Sequence, residues 1–212
     1  VPWPAWLSAL GARESTLAEV VVRQPSFFAA LSSELGEVDL AAWRAWLRWK
    51  VVHSAAPYLT EDFVAENFSF YGQTLSGVPQ IRERWTRGIS LVESVLGEAL
   101  GRLYVAEHFP AEAKSRMVHL VENLVAAYRA RLEVLPWMGR QTRERALAKL
   151  AAFTPKIGYP DRWRDYDALE ISADDLIGNV RRSNLHEARY EWGKLGGPVD
   201  RLEWHMTPQT VN

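Results

Sequence analysis

"IRERWTRGISLVESVLGEALGRL" occupies residues 81–103, and the spacing of its apolar positions decides the fold class. Ile81, Trp85, Ile89, Val92, Leu96, Leu100 and Leu103 recur every three or four residues. That interval gathers side chains on one face of a helix; a strand would need them at every second residue. The same period appears on both sides of this stretch. Upstream, Asp39 is a good N-cap for a helix running to about Ser54, with Leu40, Trp43, Trp46, Leu47 and Val51 as its stripe. Thr60, followed by Glu61 and Asp62, opens another, since carboxylates favour the positive end of the helix, and Gly77 supplies a stop.

Downstream, "HFP" at 108–110 breaks the pattern. A helix carrying Met117, Leu120, Val121, Leu124, Tyr128, Leu132 and Leu135 then follows. "RQTRERALAKLAAF" (140–153) gives a shorter helix, and "TPKIGYPDRW" (154–163) is a connector by its Pro and Gly content. Ser172, Asp174 and Asp175 cap a last helix that runs toward Gly196 and Gly197. Only "LAEVVV" at 17–22 has the β-branched density of a strand, and "QTVN" at 209–212 is a weaker candidate. The expectation is a mainly α chain, an irregular multi-helix lobe with little β. Residues 1–153 form its helical segment, and 154–212 supply a connector, a helix and a lead-in to something further.

Composition narrows the function. The 212 residues are 48% hydrophobic, enough for a packed core, and 25 Lys and Arg stand against 26 Asp and Glu. A chain so close to neutral has no field with which to hold nucleic acid or anionic lipid. No segment reaches the apolar length of a membrane span, and "VPWPAWLSAL" at the start lacks the basic and apolar regions of a signal peptide. Absence of cysteine excludes disulfides, thiol nucleophiles and Cys-ligated zinc, and leaves the compartment open. Both ends read as cut from something longer.

Candidate chemistry is sparse. The histidines are His53, His108, His119, His186 and His205, and no two are four residues apart, so the HExxH spacing that sets two imidazoles around zinc is missing. His119 and Glu122 lie one turn apart but read as a surface pair. Glu107–His108 and His186–Glu187 are neighbours that diverge by about 100° on a helix. No serine sits in a G-x-S-x-G elbow, and "LGEALG" (96–101) lacks the trailing Lys and Ser/Thr of a phosphate loop. "WRAWLRWK" (43–50) alternates Trp with cations as interfacial helices do, yet Trp43 and Trp46 lie on the apolar stripe and Arg44 and Arg48 opposite it. Lys50 falls within the stripe and must extend its ammonium to solvent or find a carboxylate. Arg140, Arg143, Arg145 and Lys149 form a solvated basic face with no interleaved aromatics to suit RNA.

Four stretches carry a resemblance: "ENFSFYGQTLSG" (66–77), "LGRLYVAEHFPAEAK" (100–114), "WMGRQTRERALAKLAAFTPKIGYPDRWRDY" (137–166) and "WHMTPQTVN" (204–212). Their wording and order resemble the neprilysin-like zinc metalloendopeptidases, from about Trp43 to the end. The resemblance implies the N-terminal, non-catalytic portion of a larger two-lobed peptidase. A helical lobe of this kind helps enclose the substrate cavity, and the zinc site belongs to a catalytic lobe that this chain lacks. For the parent it implies a zinc-bound water, deprotonated by the Glu of HExxH, attacking the carbonyl of a short peptide. Zinc and peptide are then the parent's cofactor and substrate, and the missing catalytic lobe is this chain's partner.

One site residue carries over. Asn212 matches the Asn that opens an Asn-Ala-Tyr-Tyr-like segment and hydrogen-bonds the substrate backbone beside the metal, a task for which an amide offers both donor and acceptor. By itself this segment is expected to be inactive and to bind no metal. Lack of cysteine, and 20 Arg against 5 Lys, fit a bacterial member. The competing reading is a stand-alone helical binding or scaffold module. Apolar helix faces left open toward a missing lobe would favour the first reading, and a polar surface all round the second.

Overall fold

The computed structural model describes residues 3–12 and 21–210. Eight α-helices are present among them: α1 (Trp3–Ala9), α2 (Pro25–Glu37), α3 (Leu40–Ala55), α4 (Glu61–Asn67), α5 (Arg84–His108), α6 (Ala111–Val134), α7 (Arg140–Ala151) and α8 (Leu176–Gly193). No described residue lies in a strand. Val21 and Val22 are irregular, Gln209 and Thr210 belong to a turn, and the rest of both strand candidates lies outside the described residues. None of the described helices is long and apolar enough to cross a membrane. The chain divides into two units, Val1–Arg87 with Asp167–Pro198, and Gly88–Tyr166 with Val199–Asn212.

In the first unit the helix signals act where the sequence puts them. Asp39 accepts the Ala42 N–H at 2.8 Å and starts α3. Trp3 meets Phe28 edge-on at 4.7 Å, joining α1 to α2. Thr60 precedes α4, but the helix does not run on to Gly77 in α form. After Asn67 the backbone widens into a π-helix, Phe68–Thr74. There the Leu75 N–H reaches back five residues to the Phe70 carbonyl at 3.0 Å, and the Thr74 and Ser76 hydroxyls donate to the Ser69 and Tyr71 carbonyls. Side-chain donors thus satisfy carbonyls at the end of the widened turn. Gly77, at φ +66°, ends it in the left-handed region that glycine tolerates. The wider winding also brings the Tyr71 hydroxyl to 2.7 Å from His53 Nε2, with Trp49 stacked on the other side of the imidazole at 4.9 Å.

Asp175 caps α8 by accepting the Gly178 N–H at 2.8 Å. Asn179 closes the preceding loop, taking the Ser172 N–H and donating to the Ser172 carbonyl. Arg182 then joins Asp175, Asn179 and the Glu170 carbonyl. The Gly178 N–H, and next the Arg182 guanidinium, hold the Asp175 carboxyl below its ordinary value of 3.8. A depressed carboxylate pKa contributes stability that is complete above the ordinary value and is lost as pH falls through the lowered one.

In the second unit Pro110 precedes α6, and α7 packs against α6. Arg143 fastens the turn between them, donating to the Leu135 and Met138 carbonyls at 2.9 and 3.1 Å. The connector is anchored to the start of α6. Lys114 lies 4.2 Å over the Tyr159 ring and donates to the Tyr159 carbonyl and to Asp161. Phe109 meets Tyr159 edge-on and also occupies the space beside Gly158, where a Cβ would lie 2.5 Å from its ring.

Apolar stripes form as the periodicity dictates but are not closed over. On α3, Leu40, Trp46, Leu47 and Val51 are exposed and Trp43 is half-buried; on α6, Met117, Leu120, Leu124 and Tyr128 are exposed. On α5, Trp85 and Leu103 retain 72% and 70% of their surface. No large side chain among the described residues is fully buried. Lys50 is exposed and extends its ammonium over the faces of Trp46 and Trp49 at 5.5 and 5.6 Å. The accessible surface is 16903 Å².

Three outcomes check this account. Gly158→Ala, at φ +76° with a ring in the way, should cost about 1–3 kcal/mol. Gly88→Ala, in α5 with nothing near its Cβ position, should gain up to about 1 kcal/mol, both read by urea unfolding. Asp175→Ala should lower the melting temperature at pH 7, and the gap to the parent should narrow steadily as pH drops below 3.8.

Candidate functional site

Asn212, the one site residue expected from the sequence, lies outside the described residues. What the structure does describe is how the chain approaches it. Residues 200–210 are tied to the rest of the second unit at successive points. Asp200 receives Arg162 at 2.9 Å, and the Glu203 carbonyl accepts from Lys156. The chain then turns at Thr207–Thr210, where the Thr210 N–H donates to the Thr207 carbonyl at 3.0 Å and the two hydroxyls bond at 2.7 Å.

That turn rests on α5. Leu96, at φ −133° and ψ 32°, breaks the helical path, so the helix changes course at a defined residue. The two glycines just beyond, Gly97 and Gly101, are the buried residues of α5 and share one face by their four-residue spacing. Gln209 Nε2 donates to the Gly97 carbonyl at 3.0 Å. Between the glycines, Glu98 accepts the Arg164 N–H at 2.7 Å and so holds the end of the connector on the same turn of helix. "LGEALG", chemically silent as a phosphate loop, is where two later segments of the chain meet α5. Its paired glycines at i and i+4 were the visible signal; the partners of Glu98 and Gly97, 66 and 112 residues away, were not.

The other candidates separate. His119 Nδ1 and Glu122 Oε2 do pair, at 3.1 Å, on an exposed face. His53 bonds Tyr71, and His108 lies 4.9 Å from the Tyr104 ring. Among the described residues no three His, Asp or Glu side chains gather as a metal would need.

A family model described as peptidase family M13, for its N-terminal part, matches residues 1–160. The chain belongs to peptidase family M13. Among curated members of the family, the neutral endopeptidase of Lactobacillus helveticus is 30% identical over 195 residues, which cover 91% of this chain and 30% of that protein. Neprilysin-2 of Drosophila melanogaster is 26% identical and is aligned with all of this chain and 30% of its own length. The cryo-EM structure of the Mycobacterium tuberculosis zinc metalloprotease Zmp1 in its open state superposes with a TM-score of 0.90 at 52% identity, covering 99% of this chain and 32% of that one. The chain thus spans about a third of the length of these M13 relatives, and it matches their N-terminal portion.

The ties that hold the connector and the terminal segment should differ in weight. Removing the Arg162–Asp200 pair, which is well exposed, by Arg162→Ala should change stability by less than about 1 kcal/mol. Glu98→Ala strands a half-buried N–H and should cost about 1–3 kcal/mol in the same urea titration.

Proposed function

We propose that this chain is the non-catalytic N-terminal portion of a zinc metalloendopeptidase that hydrolyses short peptides. Its helices help enclose the substrate cavity, and its last residue begins the substrate-binding segment. The observation that carries this reading is the surface itself. Among the described residues the apolar stripes on α3, α5 and α6 lie open. Faces of that kind need protein to cover them, and the family's size supplies a natural cover in the two thirds of the relatives' length that this chain does not span.

In this reading the division of labour is physical. Residues 1–153 form the helical lobe segment, and 154–212 carry the chain from it toward the catalytic lobe. Enclosure restricts entry by size and flexibility, and Asn212 uses its amide to hold the substrate's peptide groups in register. Zinc, when bound by the parent, supplies the polarising charge and the activated water. In this reading its ligands belong to the catalytic lobe of the parent.

The full-length protein should cleave a short fluorogenic peptide, lose that activity to a chelator and regain it with zinc, while leaving a folded protein uncut. Residues 1–212 alone should be inactive and should bind no zinc by metal analysis. Asn212→Ala in the full-length enzyme should lower kcat/KM about 10- to 100-fold, the scale of one or two lost hydrogen bonds to substrate. Chelator-resistant cleavage, or an Asn212→Ala enzyme with normal kinetics, would overturn the assignment.

A further inference from the structure

We propose that Gly97, Gly101 and Gln209 are positioning residues, setting where the segment bearing Asn212 lies by seating the Thr207–Thr210 turn on α5. The inference rests on the assignment of Asn212 to substrate binding. It goes further by naming what holds that residue in place.

Three features of the seat support this. First, the approach is too close for any side chain but glycine. A Cβ at Gly97 would lie 2.7 Å from Thr207 Cγ2, and one at Gly101 would lie 2.7 Å from Pro208 Cδ and 2.8 Å from Gln209 Oε1. Backbone therefore meets side chain directly, with no flexible group between them to absorb a shift. Second, the seated piece is itself stiff. Pro208 has a restricted φ, and the turn is closed by the Thr210 N–H on the Thr207 carbonyl and by the hydroxyl pair. Third, the contact is registered along the helix as well as pressed against it. Gln209 Nε2 bonds the Gly97 carbonyl, so a slide by one helical position would break that bond and drive Pro208 into a neighbouring side chain.

Asn212 follows Thr210 by two residues, a reach of at most about 7 Å. Over so short a distance a displaced turn carries its displacement forward. Groups that orient a reacting substrate tolerate little of this, since a shift of about 1 Å far from the chemistry can cost roughly 100-fold in rate. The kink at Leu96 turns the helix immediately before the two glycines, and Glu98 braces the same turn from the connector side. The seat is thus braced by one later stretch of chain, the end of the connector at Arg164.

The test is a double-mutant cycle in the full-length enzyme, reading peptide hydrolysis with zinc content and melting temperature followed in parallel. Gly101→Ala should lower kcat/KM about 10- to 100-fold, with KM raised as well as kcat lowered. In an Asn212→Ala background the same change should cost less than about 2-fold, because the group it misplaces is already gone. Gln209→Ala, which removes one hydrogen bond and leaves both glycines, should show the same non-additivity with a smaller loss of about 3- to 10-fold. It keeps the test decisive if Gly101→Ala does not fold. Gly88→Ala, elsewhere on α5, should leave kinetics unchanged. Equal losses in both backgrounds would assign the glycines to general stability and overturn the proposal, as would normal kinetics in both seat variants. Normal kinetics in Asn212→Ala alone would overturn the substrate-binding assignment and this inference together.

Discussion

Contact between α5 and the Thr207–Thr210 turn is possible only because Gly97 and Gly101 carry no Cβ, and the second unit is organised around that contact. A single methyl at either position would meet Thr207 or Pro208 at less than 3 Å. The segment would then have to ride higher on the helix, and the Gln209 amide would lose the Gly97 carbonyl. Glu98, between the two glycines, draws in Arg164 by its backbone N–H, so connector and terminal segment converge on one turn of helix. Lys114 and Phe109 hold the other end of the connector against α6. The region is held by hydrogen bonds and close backbone approach far more than by a hydrophobic core.

That balance explains the open surface. Helices of 16, 25 and 24 residues in α3, α5 and α6 bring apolar stripes long enough to need a partner along their whole length, and the described chain covers them only in part. Leu40, Trp46 and Val51 on α3, and Leu120, Leu124 and Tyr128 on α6, remain accessible. Hydrophobic burial dominates folding energetics, so faces of this kind are the part of the molecule whose purpose depends on what else is present. Membership of the M13 peptidases, whose relatives are about three times as long, gives those faces a physical context.

Much of the architecture was legible in the residues. Asp39 and Asp175 cap the helices they were expected to cap, Pro110 separates α5 from α6, and the mainly α character follows from one repeated interval. The continuation of α4 was legible only in part, because a π-helix has the same composition as an α-helix and differs in a hydrogen-bond step that side chains at Thr74 and Ser76 help to satisfy. The kink at Leu96 left the spacing of apolar residues undisturbed and so left no mark. Lys50 was read as either solvated or paired with an acid. It is exposed, as the first of those readings has it, and its ammonium lies over two indole rings supplied by its i−1 and i−4 neighbours on the same helix. Of the candidate site, Asn212 came from resemblance alone, and the seat beneath its approach was present in "LGEALG" without a recognisable partner.

The sequence by itself determined the helical class, most helix starts, the near-neutral charge, and the family to which four ordered motifs point. These are local or compositional properties, set by side-chain period, capping chemistry and net charge within a few residues of one another. The tertiary structure decided which glycines permit close approach, which carbonyl Gln209 finds 112 residues away, and which apolar stripes stay open. Such outcomes depend on distances between segments remote in the chain, and no periodicity within either segment encodes them.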